Sequence, residues 1–266
     1  MDTPKISIVT INLNGARCLE KAISSVLFQT YSNLEYILID GGSTDGSLEI
    51  IKKYNDKITH WTSEPDAGIS EAFNKGISYA TGEWVGILNS DDWYQFDAVE
   101  NVARCAQKHP RAEVIHGNMQ IWNGDKKEMY LLPDQNLENI KTEMILNHPA
   151  CFVKKSVYQN YGVFNIQYLQ AMDYELFLRF YKNHAQFFYL DLWISNMRLG
   201  GSSDRYWYRA TQEVLRAQLY HNGFNFSFYL IFIFRLLRTG LRVIFKKIGF
   251  NAVVIFCRNC QKRKHC

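Results

Sequence analysis

The run Asn89-Ser90-Asp91-Asp92 is the part of the sequence best suited to chemistry, because it follows the hydrophobic stretch EWVGIL at 83–88. Carboxylates at the end of a buried strand are held on a rigid element, where they can ligate a hard divalent cation that also takes phosphate oxygens. Two adjacent aspartates in isolation are more often a helix cap and a turn. The preceding strand leaves both interpretations open, and the run is a candidate site for a metal ion and phosphate.

Three further polar clusters follow hydrophobic runs in the first half of the chain. They are Thr10–Asn14, Asp40–Asp45 and Glu64–Asp66. Each of them alone is best interpreted as a solvated turn with helix caps. In open parallel sheets, however, ligands bind beyond the carboxyl ends of the strands. Four polar clusters at four strand ends therefore predict a polar ligand site along one edge of a sheet.

The glycine-rich turn at 41–47 (GGSTDGS) is not a phosphate-binding loop of a known type. It lacks the lysine of a P-loop, and its glycines do not have the spacing of a dinucleotide-binding motif. Asp45 is predicted to be the N-cap of the next helix, whereas Asp40, at the end of a strand, is a candidate to face a ligand.

The elements that position these clusters alternate between strand and helix. Strands are predicted over 5–11, 35–40, 57–61 and 83–88. Helices are predicted over 16–29, over 48–54, and from Gly68 or Ser70 to Tyr79. A further helix and strand fall between 96 and 120, residues 173–181 are helical, and 126–147 has no clear pattern. This alternation is typical of βαβ units, and it predicts an α/β fold with a mostly parallel central sheet.

Composition excludes several classes of protein. The 266 residues are 47% hydrophobic and 21% charged, which excludes a mostly disordered chain, a coiled coil and a collagen-like fibre. The six cysteines do not form a disulfide scaffold, and the first residues lack the pattern of a secretory signal. The chain is therefore expected to be cytoplasmic with reduced thiols. Cys257, Cys260, His265 and Cys266 are too crowded for an ordinary zinc site.

The order and spacing of five segments resemble family 2 of the nucleotide-sugar glycosyltransferases, which have the GT-A fold. The segments are ISIVTINLNGARCLEKAISSVLFQTY, YILIDGGSTDGS, SEPDAGISEAFNKGISYATGEWVGILNSDDWY, NHPACFVKKSVYQNYGVFN and AMDYELFLRF, and the resemblance covers about residues 4–205. It is nearest to bacterial enzymes that build exopolysaccharide or lipopolysaccharide. It implies a Rossmann-like sheet and a UDP-, GDP- or dTDP-linked sugar donor.

The resemblance assigns donor-side roles to seven residues. Thr10 and Asn12 fall where the family contacts the nucleotide base, and Asp40 and Asp66 fall on acidic positions that line that pocket. Residues 89–91 occupy the DxD motif, so that Asn89 and Asp91 contact the donor and Asp91 coordinates Mg²⁺ or Mn²⁺. Asp92 supports Asp91 from behind.

The resemblance also assigns acceptor-side roles. Asp173 is the candidate general base for the acceptor hydroxyl, and His148 lies near the acceptor or the donor sugar. An inverting transfer needs one such base and a metal ion that stabilises the departing diphosphate, with no nucleophilic residue. The alternative for Asp173 is a purely structural role in the first turn of a helix, where the macrodipole favours acids.

Four features depart from the family pattern. Asn89 replaces the first aspartate of the motif, Gly41 stands where many members have an aspartate, and Met172 replaces a glutamate. Residues 197–204 offer no histidine to complete a metal shell. The processive-synthase motif QxxRW is absent, which favours the addition of a single sugar.

The C-terminal tail has a charge of its own. No acidic residue follows Glu213, whereas ten lysines and arginines do, so that residues 1–213 carry −6 and the tail +10 of the net +4. Arg235, Arg238, Arg242 and Lys246 have helical spacing, and charges interrupt the apolar stretch too often for a membrane span. An amphipathic helix on an anionic membrane is predicted, and a helix packed on the catalytic domain or a second subunit is the alternative. Nucleic-acid binding is disfavoured because no reading module accompanies the bases.

These observations predict a metal-dependent, inverting glycosyltransferase that moves one sugar to a lipid-linked saccharide acceptor at the inner face of the cell membrane. The catalytic domain spans 1–213, with a donor half of about 1–95 and an acceptor half of about 96–213, and the helical tail spans 214–266. A homo-oligomer is compatible with the sequence. The alternatives are a nucleotidyltransferase, which would need more than Arg17 after the first strand, and a non-catalytic nucleotide-sugar binder or scaffold, which Asn89 and Met172 would suit.

Overall fold

The computed structural model describes residues 3–199 and 206–247, which form an α/β fold around one sheet. Its strands are β1 Ile6–Asn12, β2 Leu34–Asp40, β3 His60–Ser63, β4 Trp84–Asn89, β5 Trp93–Tyr94, β6 Val114–Asn123, β7 Lys126–Leu131, β8 Cys151–Lys154 and β9 Phe187–Arg198. They are ordered β3-β2-β1-β4-β8-β6-β9-β5, and β7 pairs with β6. Strands β8, β7 and β5 run antiparallel to their neighbours and the other pairs are parallel, which confirms the mostly parallel sheet.

The register of the parallel strands brings the predicted polar clusters together. Asn12, the last residue of β1, pairs with Asp40, the last residue of β2. On the other side of β1, Ile11 pairs with Asn89 at the end of β4. Asp40 also pairs with Ser63, the last residue of β3. All four polar clusters therefore follow neighbouring strand ends on one edge of the sheet.

Helices cover both faces of the sheet. They are α1 Ala16–Leu27, α2 Ser47–Lys53, α3 Ile69–Tyr79, α4 Ala98–Lys108, α5 Lys155–Tyr161, α6 Met172–Lys182, α7 Trp207–Asn222 and α8 Phe226–Lys247. Ile6 and Ile8 of β1 pack with α1 and α4, whereas Val9 and Ile11 pack with α3 and α6. Because successive side chains of a strand point to opposite faces, one apolar run supplies both cores.

Two stretches differ from the sequence-based expectation. The third strand begins at His60 rather than at Lys57, because the amides of Lys57 and Ile58 bond to the carbonyl of Tyr54 and complete the end of α2. Residues 126–147, which show no clear pattern, contain β7 and a 3₁₀ turn at Leu137–Lys141.

The helices after residue 205 lie against the rest of the chain. Helix α7 crosses position 213, where the sequence suggests that the tail begins, and its Ala217 is buried in the core beside α6. None of the helices in the described ranges is long and apolar enough to cross a membrane. The crowded cysteines and histidine at 257–266 lie outside the described residues.

Candidate active site

Asp40 joins the ends of three strands. Its side chain is fully buried and accepts hydrogen bonds from Asn12 Nδ2 at 2.7 Å, Ser43 N at 2.9 Å and Ser63 Oγ at 2.7 Å. Burial opposes ionisation of the carboxyl, but the hydrogen bonds from Ser43, Ser63 and Asn12 outweigh it and hold the pKa of Asp40 below its usual value. Asp40 therefore holds the ends of β1, β2 and β3 together from a buried position. The sequence instead suggests that it faces a ligand.

Asn12 offers an unused acceptor beside Asp40. Because the Asp40 carboxylate only accepts, the amide nitrogen of Asn12 must face it, and the Oδ1 atom points the other way. This oxygen is buried and has no hydrogen-bond partner among the described residues. A Cβ atom at Gly15 would lie 2.3 Å from it, so only glycine leaves the oxygen its space. The orphaned acceptor suits a ligand that brings an N–H or O–H donor.

Thr10 lies deeper than the predicted contact with a base requires. Its side chain is fully buried, and its hydroxyl accepts a hydrogen bond from the Tyr36 hydroxyl at 3.2 Å. A direct contact between the Thr10 side chain and a ligand would require the residues that cover the end of β1 to move away.

Asp66 approaches the same edge from the loop after β3. Its Oδ1 accepts from the amide of Gly68 at 2.9 Å, and its Oδ2 would lie 2.7 Å from a Cβ atom at Gly41. A side chain at position 41 would therefore displace the Asp66 carboxylate. The departure from the family pattern at Gly41 makes room for Asp66.

Asp91 and Asp92 follow β4 and have different surroundings. Asp92 is buried, and it accepts from Asn89 Nδ2 at 3.1 Å and from the backbone amide of Arg198 at 3.2 Å. Burial, and then the charge of Asp91, raises the pKa of Asp92 well above its usual value. Asn89 thus donates to Asp92, where an aspartate would add a third carboxylate to the pair.

Asp91 is half-buried and more available than Asp92. No other residue of the described ranges is seen to donate a hydrogen bond to its side chain. Burial raises the pKa of Asp91, and the charge of Arg198 opposes this. A carboxylate that is partly desolvated and only weakly compensated is a good ligand for a cation.

The donor set fits a divalent ion that a ligand helps to hold. Within residues 3–199 and 206–247, no group of three or more histidine, cysteine or carboxylate side chains is arranged to hold a metal ion. Mg²⁺ is commonly bound by one or two carboxylates together with substrate phosphates and water. Asp91 with Asp92 behind it matches that mode of binding.

Asp173 and His148 lie close together although 24 intervening residues separate them in the chain. Asp173 is the second residue of α6, and its Oδ1 accepts from the amide of Tyr174 at 2.8 Å. The His148 ring packs edge-on against Phe73 and Phe177, with centroids 5.6 and 6.0 Å away. Burial lowers the pKa of His148, and the nearby charge of Asp173 partly reverses this effect.

Two cations beside Trp93, the residue that follows the aspartate pair, are not predicted from the sequence. Lys21 of α1 places its Nζ atom 3.2 Å from the centroid of the Trp93 ring, and the Arg198 guanidinium lies 5.6 Å from the same ring. Burial, and then the charge of Arg198, lowers the pKa of Lys21. The aromatic residue directly after Asp92 is the only local signal, because Arg198 is more than 100 positions away.

The mostly parallel sheet with a carboxylate pair at the end of its fourth strand matches the GT-A class of glycosyltransferases. The profile described as Glycosyl transferase family 2 matches residues 7–177, and this chain belongs to that family. The resemblance seen in the sequence is thereby confirmed. The comparisons support a glycosyltransferase enzyme and not a nucleotidyltransferase.

Relatives and solved structures agree with this assignment. A PGL/p-HBAD biosynthesis glycosyltransferase of Mycobacterium bovis is 27% identical over 197 residues, which cover 70% of this chain and 73% of the relative. The chondroitin synthase of Pasteurella multocida is 32% identical over 181 residues, which cover 66% of this chain but 19% of that protein.

Among solved structures, residues 1–349 of Staphylococcus aureus TarS in complex with UDP-GlcNAc match with a TM-score of 0.67 and 18% identity, covering 88% of this chain and 73% of that chain. The mannosyltransferase PcManGT from Pyrobaculum calidifontis, in complex with GDP-Man and Mn²⁺, matches with a TM-score of 0.65 and 14% identity, covering 100% and 82%. At these identities the likeness establishes the fold.

Proposed function

We propose that this glycosyltransferase is inverting and metal-dependent, and that it moves a single sugar from a nucleotide-sugar to a lipid-linked saccharide. The observation that carries the proposal is the weakly compensated Asp91 carboxylate at the same sheet edge as the orphaned Asn12 oxygen. A nucleoside diphosphate has a base at one end and a diphosphate at the other. The Asn12 oxygen suits the base, and the Asp91 carboxylate suits a metal ion bound to the diphosphate.

The donor would bind along the ends of β1, β2 and β4. Asn12 Oδ1 would accept from the base, with Asp66 beside it, while Asp40 holds these strand ends in place. The relatives of known structure bind UDP-GlcNAc in one case and GDP-Man with Mn²⁺ in another. UDP-, GDP- and dTDP-sugars are therefore the donors to test.

Asp91, supported by Asp92, would hold Mg²⁺ or Mn²⁺ together with the diphosphate of the donor. When bound, the ion would neutralise the charge that develops on the departing diphosphate. Asn89 would keep Asp92 in position and approach the donor at the same strand end.

Asp173 would act as the general base. The acceptor hydroxyl gives its proton to Asp173, and its oxygen forms a bond to the anomeric carbon. The bond from that carbon to the diphosphate oxygen breaks, and the nucleoside diphosphate leaves with the electron pair, so that the configuration is inverted. His148, whose lowered pKa favours the neutral ring at pH 7, would hydrogen-bond the acceptor or the donor sugar.

A thermal-shift panel of UDP-, GDP- and dTDP-sugars, each with and without Mn²⁺, tests the proposal first. A ligand at about 100 times its dissociation constant stabilises the folded state by about 2.7 kcal/mol. We expect one nucleotide class to raise the melting temperature in the presence of Mn²⁺, and Asp91→Ala to abolish the rise. Equal stabilisation with and without Mn²⁺ would count against a metal-dependent donor site.

Helix α8 would supply a peripheral association with the membrane, although Arg235, the first residue of the predicted basic face, does not point outward. Arg235 turns towards the body of the protein, where its Nη2 donates to the carbonyl of Thr142 at 2.8 Å. The exposed side is mostly apolar, with Phe226, Leu230, Ile233, Phe234 and Leu237, and it also carries Arg238. An exposed apolar face with an arginine on it, next to a strongly basic tail, suits the interface of an anionic bilayer.

Vesicle sedimentation of the full chain tests the membrane proposal. We expect binding to vesicles of phosphatidylcholine with phosphatidylglycerol, and less to phosphatidylcholine alone. Phe234→Glu should weaken binding about tenfold or more, since burying one large apolar side chain contributes about 1.5–3 kcal/mol. Leu132→Glu, at an exposed position far along the chain from α8, is the matched control. Equal sedimentation of Phe234→Glu with the parent would contradict the proposal.

A further inference from the structure

Glu213, the last acidic residue of the chain, occupies a buried position on α7. One oxygen of its carboxylate, Oε2, accepts hydrogen bonds from three successive backbone amides: Leu169 at 2.9 Å, Gln170 at 2.7 Å and Ala171 at 3.0 Å. The other oxygen accepts from Arg209 Nε at 2.9 Å. Hydrogen bonds to a carboxylate are charge-assisted and about twice as strong as those between neutral groups.

The three amides belong to the segment that leads into α6. Ala171 is the residue before the helix, its carbonyl accepts from the amide of Glu175 at 3.0 Å, and Asp173 is two positions further on. The start of a helix leaves its first amides without intrahelical partners, so the conformation there depends on contacts from outside the helix. Glu213 supplies such contacts to the residues immediately before Asp173.

Helix α7 holds α6 at a second point. His221 Nε2 lies 2.8 Å from Glu175 Oε1, and Glu175 is also bound by Arg179 at 3.0 Å. These two attachments, at Glu213 and at His221, are eight positions apart on α7, so they lie about 80° apart around the helix, on the broad side that it turns towards α6. Helix α7 thus fixes both the entry to α6 and its first turn.

We propose that Glu213 is a positioning residue for the transfer reaction, and that its carboxylate sets the location of Asp173 by holding the 169–171 backbone. The inference rests on the proposed function, because it takes Asp173 as the base. It makes α7, beyond the matched family region at 7–177, a part of the catalytic machinery.

The energetic reason is the precision that a base requires. The proton to be removed must lie within hydrogen-bond reach of the carboxylate, and a displacement of about 1 Å can reduce the rate about 10²-fold. Without Glu213, the amides of 169–171 would turn to water or to other partners, and the start of α6 would move with them. The donor pocket at the ends of β1, β2 and β4 receives no contact from Glu213 and would be unchanged.

The test compares Glu213→Ala and Glu213→Gln with the parent enzyme. Glu143→Gln is the matched control, since Glu143 lies 3.7 Å from Arg235 and ties α8 to the body without touching 169–171. The assay measures hydrolysis of the donor that gives the largest shift in the thermal panel. Water replaces the acceptor hydroxyl, and the nucleoside diphosphate that is released is quantified. The kcat is expressed per donor-binding site.

We expect Glu213→Ala to lower kcat about 10²-fold while KM for the donor stays within a factor of about two. Glu213→Gln should fall between Glu213→Ala and the parent, because its amide oxygen still accepts from the three amides. Hydrogen exchange at 169–171 should be faster in both variants and unchanged in Glu143→Gln. If Glu213→Ala is poorly folded, Glu213→Gln carries the comparison.

Parent-like kcat per site in the Glu213 variants, or parent-like exchange at 169–171, would overturn the inference. Asp173→Asn in the same assay separates the two proposals. If Asp173→Asn is inactive and the Glu213 variants are active, only the positioning role is wrong. If Asp173→Asn retains the activity of the parent, the assignment of the base is wrong, and the positioning role is rejected with it.

Discussion

The two halves of the site are built in different ways. On the proposed donor edge, formed by the ends of β1, β2 and β4, the candidate side chains follow neighbouring strands, and Asn12 and Asp40 pair in register. On the proposed acceptor side, formed by His148, Asp173 and the 169–171 segment, the groups come from separate parts of the chain, and α7 holds the 169–171 backbone. The first arrangement follows from topology, and the second depends on tertiary contacts.

Removing Asp91 should cause the largest loss of activity, and it tests the donor edge. Asp91→Ala deletes the carboxylate that we expect to hold the metal ion, and turnover should fall about 10³-fold, in line with the loss of a group that stabilises developing charge. Donor binding measured by thermal shift should lose its dependence on Mn²⁺. Asp97→Ala, an exposed aspartate before α4, should behave as the parent. Turnover of Asp91→Ala within tenfold of the parent would contradict the assignment.

Replacing Asp173 tests the acceptor side with a change of similar shape. Asp173→Asn should lower transfer about 10²-fold or more, the contribution typical of a general base, while the donor-induced melting shift is retained. The two halves would then separate experimentally, since Asp91→Ala removes donor binding and Asp173→Asn does not. Loss of the donor-induced shift in Asp173→Asn would show that the halves are not independent.

The sequence predicts the strand ends of the proposed donor edge well, because each strand end is marked by neighbouring residues in the chain. Apolar runs ending in polar clusters identify β1, β2 and β4 to within one residue at each end. The same alternation could have placed Thr10 more accurately, since it lies on the face of β1 that carries Ile6 and Ile8 into the core. The polar type of Thr10 suggests a contact with a ligand. Its position in the strand, an even number of residues from Ile6 and Ile8, instead places its side chain on the buried face.

The acceptor side is less predictable because its geometry comes from contacts over long sequence separations. Glu213 lies 42 positions from Ala171 and 44 from Leu169, and no spacing rule connects a glutamate to three backbone amides at that distance. Arg198 reaches the aspartate pair through its backbone amide, which any residue could supply. Side-chain types carry no signal for such contacts, which emerge only when β9 and α7 are packed.

Asp40 provides a test of stability on the donor edge. Its pKa lies below the ordinary value of 3.8, so its carboxylate contributes stability that is fully present above that pH and is lost as the pH falls through the folded-state pKa. Asp40→Asn should cost about 2 kcal/mol at pH 7, since it leaves buried hydrogen-bond groups mispaired. Urea unfolding should show the difference from the parent shrinking below pH 3.8. Asp56→Asn, at an exposed site, is the control, and a difference that is constant with pH would contradict this account.

Gly41→Ala should have the smallest effect, and it sharpens the picture of the donor edge. The new Cβ would lie 2.7 Å from Asp66 Oδ2, so the carboxylate, which accepts from the Gly68 amide through Oδ1, would have to rotate away. Donor affinity should fall about fivefold, equivalent to one hydrogen bond of about 1 kcal/mol. Stability should change by less than about 0.5 kcal/mol. Gly240→Ala, where the nearest atom to the added Cβ is 4.0 Å away, is the matched control.

A double substitution shows whether Gly41 acts through Asp66. In an Asp66→Ala background the added methyl group has no carboxylate to displace, so Gly41→Ala should cause no further loss of donor affinity. An equal loss in both backgrounds would mean that the methyl group obstructs the donor directly. The space above the end of β2, and not the position of the Asp66 carboxylate, would then limit which donors bind.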